Sequence, residues 1–118
     1  MAEQGGAGVW LIREGDVPYE ELAPGIEIAR VISAPASTSL GGGLLRMDGA
    51  TFPDWTLKYD EVLYVLEGEL EVESDGGSAV AGPGEMILIA GGGTVTYRSK
   101  AGTKTFVVLY PRDWADRG

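Results

Sequence analysis

Glycine and proline divide this chain into apolar runs too short to build helices. The longest, Val62–Leu66, Met86–Ala90 and Phe106–Tyr110, reach five residues, and each is closed at once by a Glu-Gly, a Gly-Gly or a proline. Other segments alternate apolar and polar residues, as in Leu70-Glu71-Val72-Glu73 and Ile26-Glu27-Ile28, which is the period of a strand with one wet face. Helical spacing is almost absent. The pattern predicts roughly eight to ten short strands joined by tight turns, an all-β antiparallel sandwich or barrel. A chain of 118 residues that is 44% apolar can bury one core. No repeat or linker divides it, so residues 1–118 are expected to form a single domain.

Pro53–Gly68, PDWTLKYDEVLYVLEG, is expected to be one strand, with a turn at Glu67-Gly68 and Leu70–Glu73 returning beside it as a hairpin. Its apolar residues fall on both parities, so both faces should leave water. If the strand is regular from Trp55, then Trp55, Leu57, Tyr59, Glu61 and Leu63 share a face, while Lys58 and Asp60 point the other way. A carboxylate entering such a strand costs free energy unless it is hydrogen-bonded or protonated, so Glu61 needs a partner or a task.

Elsewhere, residues 1–8 read as a loose tail and Val9–Arg13 as a first strand. Asp16–Leu22 can form one helical turn, with Asp16 as its cap and Pro18 in the first turn. Ile26–Ile32 is a strand and Ser33–Ser39 a connector of small residues. Gly41-Gly42-Gly43 leads into a strand over Leu44–Asp48. Asp75-Gly76 marks a hairpin loop. Ser78–Ala81 is a short return strand, Met86–Ala90 a buried one, and Thr94–Ser99 and Thr103–Tyr110 complete the set. Trp10, Phe106 and Trp114 are expected to be packing residues.

Composition excludes several kinds of function. With 18 acidic and 9 basic residues the net charge is -9, which disfavours both nucleic acid and an anionic membrane surface as partners. There is no cysteine, hence no disulfide, thiolate nucleophile or cysteine metal site, and no histidine, the usual metal ligand and general base. Acid–base chemistry falls to carboxylates, tyrosines and lysines. The N-terminus lacks a basic region followed by an apolar run, so no signal peptide is expected and the protein is read as cytoplasmic. Gly91-Gly92-Gly93 is not followed by the Gly-Lys-Ser/Thr of a phosphate loop.

Two spacings resemble the motifs of the cupins. In the first (residues 49–68), Gly49 precedes Glu61 by twelve positions and six residues separate Glu61 from Gly68. In the second (residues 84–99), Gly84 is followed by Ala90 and Gly92. Within that superfamily Asp54-Trp55-Thr56-Leu57, Tyr59-Asp60-Glu61, Val65–Leu70 and the Tyr110–Trp114 ending are similar to the ethanolamine-utilisation Q-type group. The resemblance implies a jelly-roll barrel, also called a double-stranded β-helix, and a homodimer. It further implies association with ethanolamine-degrading bacterial microcompartments and an acetate-kinase activity attributed to members. Metal-binding cupins carry three histidines besides the glutamate; the corresponding positions here are Trp55, Leu57 and Val95. One carboxylate among apolar groups is a poor transition-metal site, so no metal and no cofactor is expected.

In a cupin the Glu61 face looks into the barrel. Glu61 and Tyr59 are therefore the candidate catalytic pair, with Trp55, Leu57, Val95, Tyr97 and Arg46 as candidate ligand contacts. A carboxylate among apolar groups resists ionisation and can carry a proton near neutral pH. Alternatively Glu61 is a remnant held by an arginine such as Arg46. Glu67, Glu69, Glu71 and Glu73 read as a solvated face. Three functions fit: an acetate-kinase-like or accessory cupin holding a small polar metabolite, a binding module without chemistry, or a small isomerase, lyase or aminohydrolase. The second apolar face of Val62–Leu66 needs a cover, which an N-terminal strand of the same chain or a second copy could supply, and a homodimer is favoured. Light scattering at micromolar concentration is expected to return a dimer; monomer alone would remove this expectation.

Overall fold

The structure is a computed structural model that describes residues 3–33 and 39–113. The described residues are all β: β1 (Glu3–Gly6), β2 (Val9–Leu11), β3 (Glu20–Ala23), β4 (Ile26–Ile32), β5 (Gly41–Met47), β6 (Thr51–Thr56), β7 (Asp60–Glu67), β8 (Leu70–Ser74), β9 (Gly77–Ala81), β10 (Met86–Ile89), β11 (Thr94–Ser99) and β12 (Thr103–Tyr110). No helix is present among them, and so none long and apolar enough to cross a membrane.

The strands form a six-stranded sheet ordered β10-β7-β12-β5-β4-β3, a four-stranded sheet ordered β6-β11-β8-β9, and a separate β1-β2 ribbon. All pairings are antiparallel. Alternation decides which side of each strand is buried. On β7, Glu61, Leu63 and Val65 face inward, and on β12, Thr103, Thr105 and Val107 do the same. Leu63, Val65 and Val107 pack in one core with Leu70, Val72 and Val95 of the other sheet. That is a two-sheet jelly-roll arrangement, built because two strand sets each with one apolar face can remove it from water only against each other.

Close backbone approach explains the glycines of β5. A Cβ at Gly43 would stand 2.3 Å from the Ala29 carbonyl oxygen on β4, so only a bare Cα lets the two strands pair there. Gly41–Gly43 therefore belong to the strand instead of merely leading into it.

Several sequence expectations are corrected. Residues 3–6 are not a loose tail, because β1 pairs with β2. Asp16 caps no helix: its Oδ2 accepts from the Arg13 amide at 2.8 Å in a local turn, and Glu20–Ala23 pair with β4. Pro53–Gly68 is not one strand. Leu57-Lys58-Tyr59 interrupt it, so that β6 lies in one sheet and β7 in the other. Nor do β7 and β8 form a hairpin, since the turn at Gly68 carries the chain between sheets. Strand β10 is half-buried; Leu88 is 72% and Met86 64% exposed. The Asp75-Gly76 hairpin is present, with Ser74 paired to Gly77. Trp114 and most of the Ser33–Ser39 connector lie outside the described residues.

The sheet-to-sheet turn depends on one backbone conformation. Gly68 has φ of 81°, and a Cβ there would stand 2.6 Å from the Thr103 Cα and 2.4 Å from its Oγ1. Gly68→Ala is expected to cost about 3 kcal/mol, from left-handed strain and overpacking together, and to lower the melting temperature accordingly. Chemical denaturation with an unchanged midpoint would contradict this.

Candidate functional site

The cavity between the sheets measures about 460 Å³ and is predominantly apolar. Its polar floor starts from Glu61, the first inward residue of β7. Cross-strand pairing puts Glu61 in a row between Ile89 of β10 and Leu109 of β12, and leaves it only 7% exposed. The hydrogen-bond partner comes from the opposite sheet: the Tyr97 hydroxyl on β11 donates to Glu61 Oε1 at 2.7 Å.

A second pair lies beside the first. Tyr59, in the break between β6 and β7, accepts at its hydroxyl from Trp55 Nε1 at 2.8 Å. Phe52 completes an aromatic wall, with ring centroids 5.5 Å from Trp55 and 6.1 Å from Tyr97. Phe52 and Trp55 both line the cavity although they are three positions apart. A register shift permits it: β6 spends the interval from Phe52 to Trp55 where β11 spends only Tyr97 to Val95. The extra residue falls at Pro53-Asp54, and Asp54 carries the one positive φ of a non-glycine residue among those described, 53°.

The electrostatics follow from burial. Desolvation pushes the Glu61 carboxyl above the ordinary carboxylate range, and the Tyr97 hydrogen bond offsets only part of that. Tyr59 is pushed up to about 12, first by burial and then by the Glu61 charge. Tyr97 is raised further still by burial, by the Glu61 charge and by their hydrogen bond. Both phenols thus stay protonated at neutral pH, and burial moves the Glu61 carboxyl upward, toward holding its proton more tightly than an exposed carboxyl does. Such a group can donate to a carbonyl when protonated or accept from an amine or hydroxyl when ionised.

Of the candidate residues read from sequence, Glu61, Tyr59, Trp55 and Tyr97 line this cavity. Leu57 and Val95 do not; they are buried in the core, Leu57 with no exposed surface at all. Arg46 is elsewhere, on the outer face, 3.2 Å from Glu27 Oε1 and over the ring of Tyr19 at 3.6 Å. It therefore does not hold Glu61. Phe52, Arg30 and Arg112 line the cavity without having been singled out from sequence. A proline inside a predicted strand marks a bulge, and that signal could have found Phe52. The arginines carried none, because strand order alone brings them to the cavity.

Three comparisons bear on the arrangement. The profile of the family described as ethanolamine utilisation protein EutQ matches residues 26–116. A relative from Clostridioides difficile, named acetate kinase EutQ, is 40% identical over 81 residues, which is 69% of this chain and 51% of that protein. The chain thus spans about half the length of that relative. The solved EutQ structure from Clostridium difficile superposes with a TM-score of 0.83 and 29% identity, covering 100% of this chain and 91% of that one. An RmlC-like cupin from Shewanella frigidimarina superposes at 0.75 with 16% identity over 96% of this chain and 97% of its own, which fixes the cupin fold and nothing further.

The raised Glu61 carboxyl has a pH signature. A carboxyl that titrates higher folded than unfolded binds more protons in the folded state, so its stabilising effect is complete below the unfolded value near 4.5 and is lost as pH rises through the folded one. Glu61→Gln keeps the shape and an acceptor for Tyr97 but cannot ionise. Its melting temperature is expected to match the parent near pH 4.5 and to exceed it increasingly toward neutral pH. Tyr59 and Tyr97, the titratable groups facing Glu61, do not change charge in this window. Parallel melting curves at all pH values would contradict the burial argument.

Proposed function

Because the chain belongs to the ethanolamine utilisation protein EutQ family, we propose that it is a metal-independent cupin that binds a small molecule between its two sheets, with Glu61 as the proton-carrying group. The observation that carries this reading is the buried carboxyl, held by Tyr97 from the opposite sheet and opening onto an apolar cavity of about 460 Å³. That combination of an apolar pocket, few polar groups and a perturbed carboxyl is how small-molecule sites are built. Trp55 and Phe52 would offer flat surfaces to the ligand, and Tyr59 and Tyr97 would orient Glu61.

Metal independence rests on the chemistry of the donors. At the ligand positions of metal-binding cupins this chain offers Glu61 together with Trp55, Leu57 and Val95. Among the described residues no three carboxylates cluster as a metal site. One hydrogen-bonded carboxyl does not fit a transition metal, and no step is assigned to one.

A second reading, phosphoryl transfer to acetate, is favoured by the name of the Clostridioides difficile relative, of which this chain spans about half. Phosphoryl transfer depends on cations aimed at the phosphates. The basic residues lining the cavity are Arg30 and Arg112, and Arg30 Nε already pairs with Glu20 at 2.9 Å. Binding is therefore placed ahead of kinase chemistry. A role in ethanolamine use in the cytoplasm, alongside a microcompartment, belongs to the same proposal. So does a homodimer. The free edge of β10 and the exposed Met86 and Leu88 beside it would meet a second copy, since an edge strand with apolar neighbours pairs isologously at low cost.

Thermal-shift screening of a metabolite panel tests the reading. A ligand is expected to raise the melting temperature, to keep doing so after dialysis against EDTA, and to fail to do so in Glu61→Gln. Acetyl phosphate formed from acetate and ATP would instead place the kinase reading first.

A further inference from the structure

The cavity wall contains three charged side chains, Glu61, Arg30 and Arg112. Arg30 is engaged by Glu20, and its side chain is half-exposed. Arg112 differs. Its backbone amide donates to the Ser39 carbonyl at 2.9 Å, and no carboxylate lies within ion-pair distance of its guanidinium among the described residues. In a protein of net charge -9, an uncommitted cation at an apolar cavity is unexpected.

Its position is built in by a glycine. Gly41 faces inward on β5, opposite Leu109 of β12, and Leu109 in turn pairs with Glu61 of β7. The Arg112 methylenes lie over the bare Cα of Gly41: a Cβ there would stand 3.0 Å from Arg112 Cγ and 3.2 Å from Leu109 Cδ1. Arg112 therefore folds back onto the inner face two strands away from Glu61. At the ordinary strand spacing that is roughly 10 Å. Between the two ends the wall is Leu109, Leu63 and Val107, with Trp55 and Phe52 in the opposite sheet.

We infer that the cavity takes a carboxylic acid with an apolar body, its carboxylate paired to Arg112 and its far end against the Glu61–Tyr97 pair. This rests on the small-molecule reading above and narrows it to a ligand class. A single guanidinium matches a carboxylate bidentately, whereas a phosphate dianion calls for more cations than this wall supplies. An apolar body suits the remaining surface, and a small polar metabolite would leave it unsatisfied.

Isothermal titration with octanoate and 1-octanol tests the inference, because the two share an apolar chain comparable to the span and differ in the head group. Octanoate is expected to bind at least tenfold more tightly than octanol. Arg112→Gln is expected to abolish that preference, weakening octanoate tenfold or more and leaving octanol within twofold. Gly41→Ala retains every charge but crowds the Arg112 methylenes, and is expected to weaken octanoate selectively too, so the test survives if Arg112→Gln folds poorly. Equal affinity of the two probes for the parent protein, or octanoate binding untouched in both variants, overturns the carboxylic acid assignment while leaving the cavity reading in place. Binding of neither probe overturns both.

Discussion

One hydrogen bond ties the two sheets together at the place where the fold is least able to tolerate an error. Tyr97 and Glu61 approach from opposite sheets to 2.7 Å within a predominantly apolar surrounding. An unpartnered carboxyl there would bear its whole desolvation cost, so the phenol is what allows the acid to exist in the core. The same burial that makes the bond necessary keeps both neighbouring phenols protonated and raises the carboxyl. Structure and chemistry thus share a cause: a carboxyl held where water is scarce and satisfied from the opposite sheet.

The space around that bond exists because side chains are missing or displaced at particular backbone positions. Gly43 lets β5 and β4 close on one another, and Gly41 leaves room on the inner face that the Arg112 methylenes occupy. On the other sheet, the extra residue at Pro53-Asp54 turns Phe52 and Trp55 to the same side. Strict period-two strands would have sent one of these rings to solvent. The cavity is therefore a consequence of local departures from regular strands, made within a scaffold of regular ones.

Charge is sorted between outside and inside. Arg98 pairs with Glu71 and Glu73, Lys100 with Glu69, Arg46 with Glu27 and Lys104 with Glu14, all on exposed or half-exposed surface. Pairs this open to solvent are screened by water, so their value to the fold is small. Their effect on the site is larger, because they commit four of the nine cations of an acidic chain to the surface. Glu14 and Arg46, which holds Tyr19 beneath it, also fasten the chain between β2 and β3 across the outside of the six-stranded sheet.

Alternation and glycine punctuation were sufficient to determine an all-β fold, the bounds of β4, β11 and β12, the Asp75-Gly76 hairpin and the shared side of Tyr59, Glu61 and Leu63. Those properties are local: a two-residue period and a turn dipeptide act over a few neighbouring positions, and the chain carries them wherever it goes. Which sheet each strand joins, the division of Pro53–Gly68 between two sheets, the outward placing of Arg46 and the meeting of Tyr97 with Glu61 and of Arg112 with Gly41 were decided only in three dimensions. Each joins residues far apart in sequence or turns on a register shift that periodicity does not encode. The partners of a buried group are selected by which strands pair, and pairing is settled by the burial of whole faces rather than by any single residue.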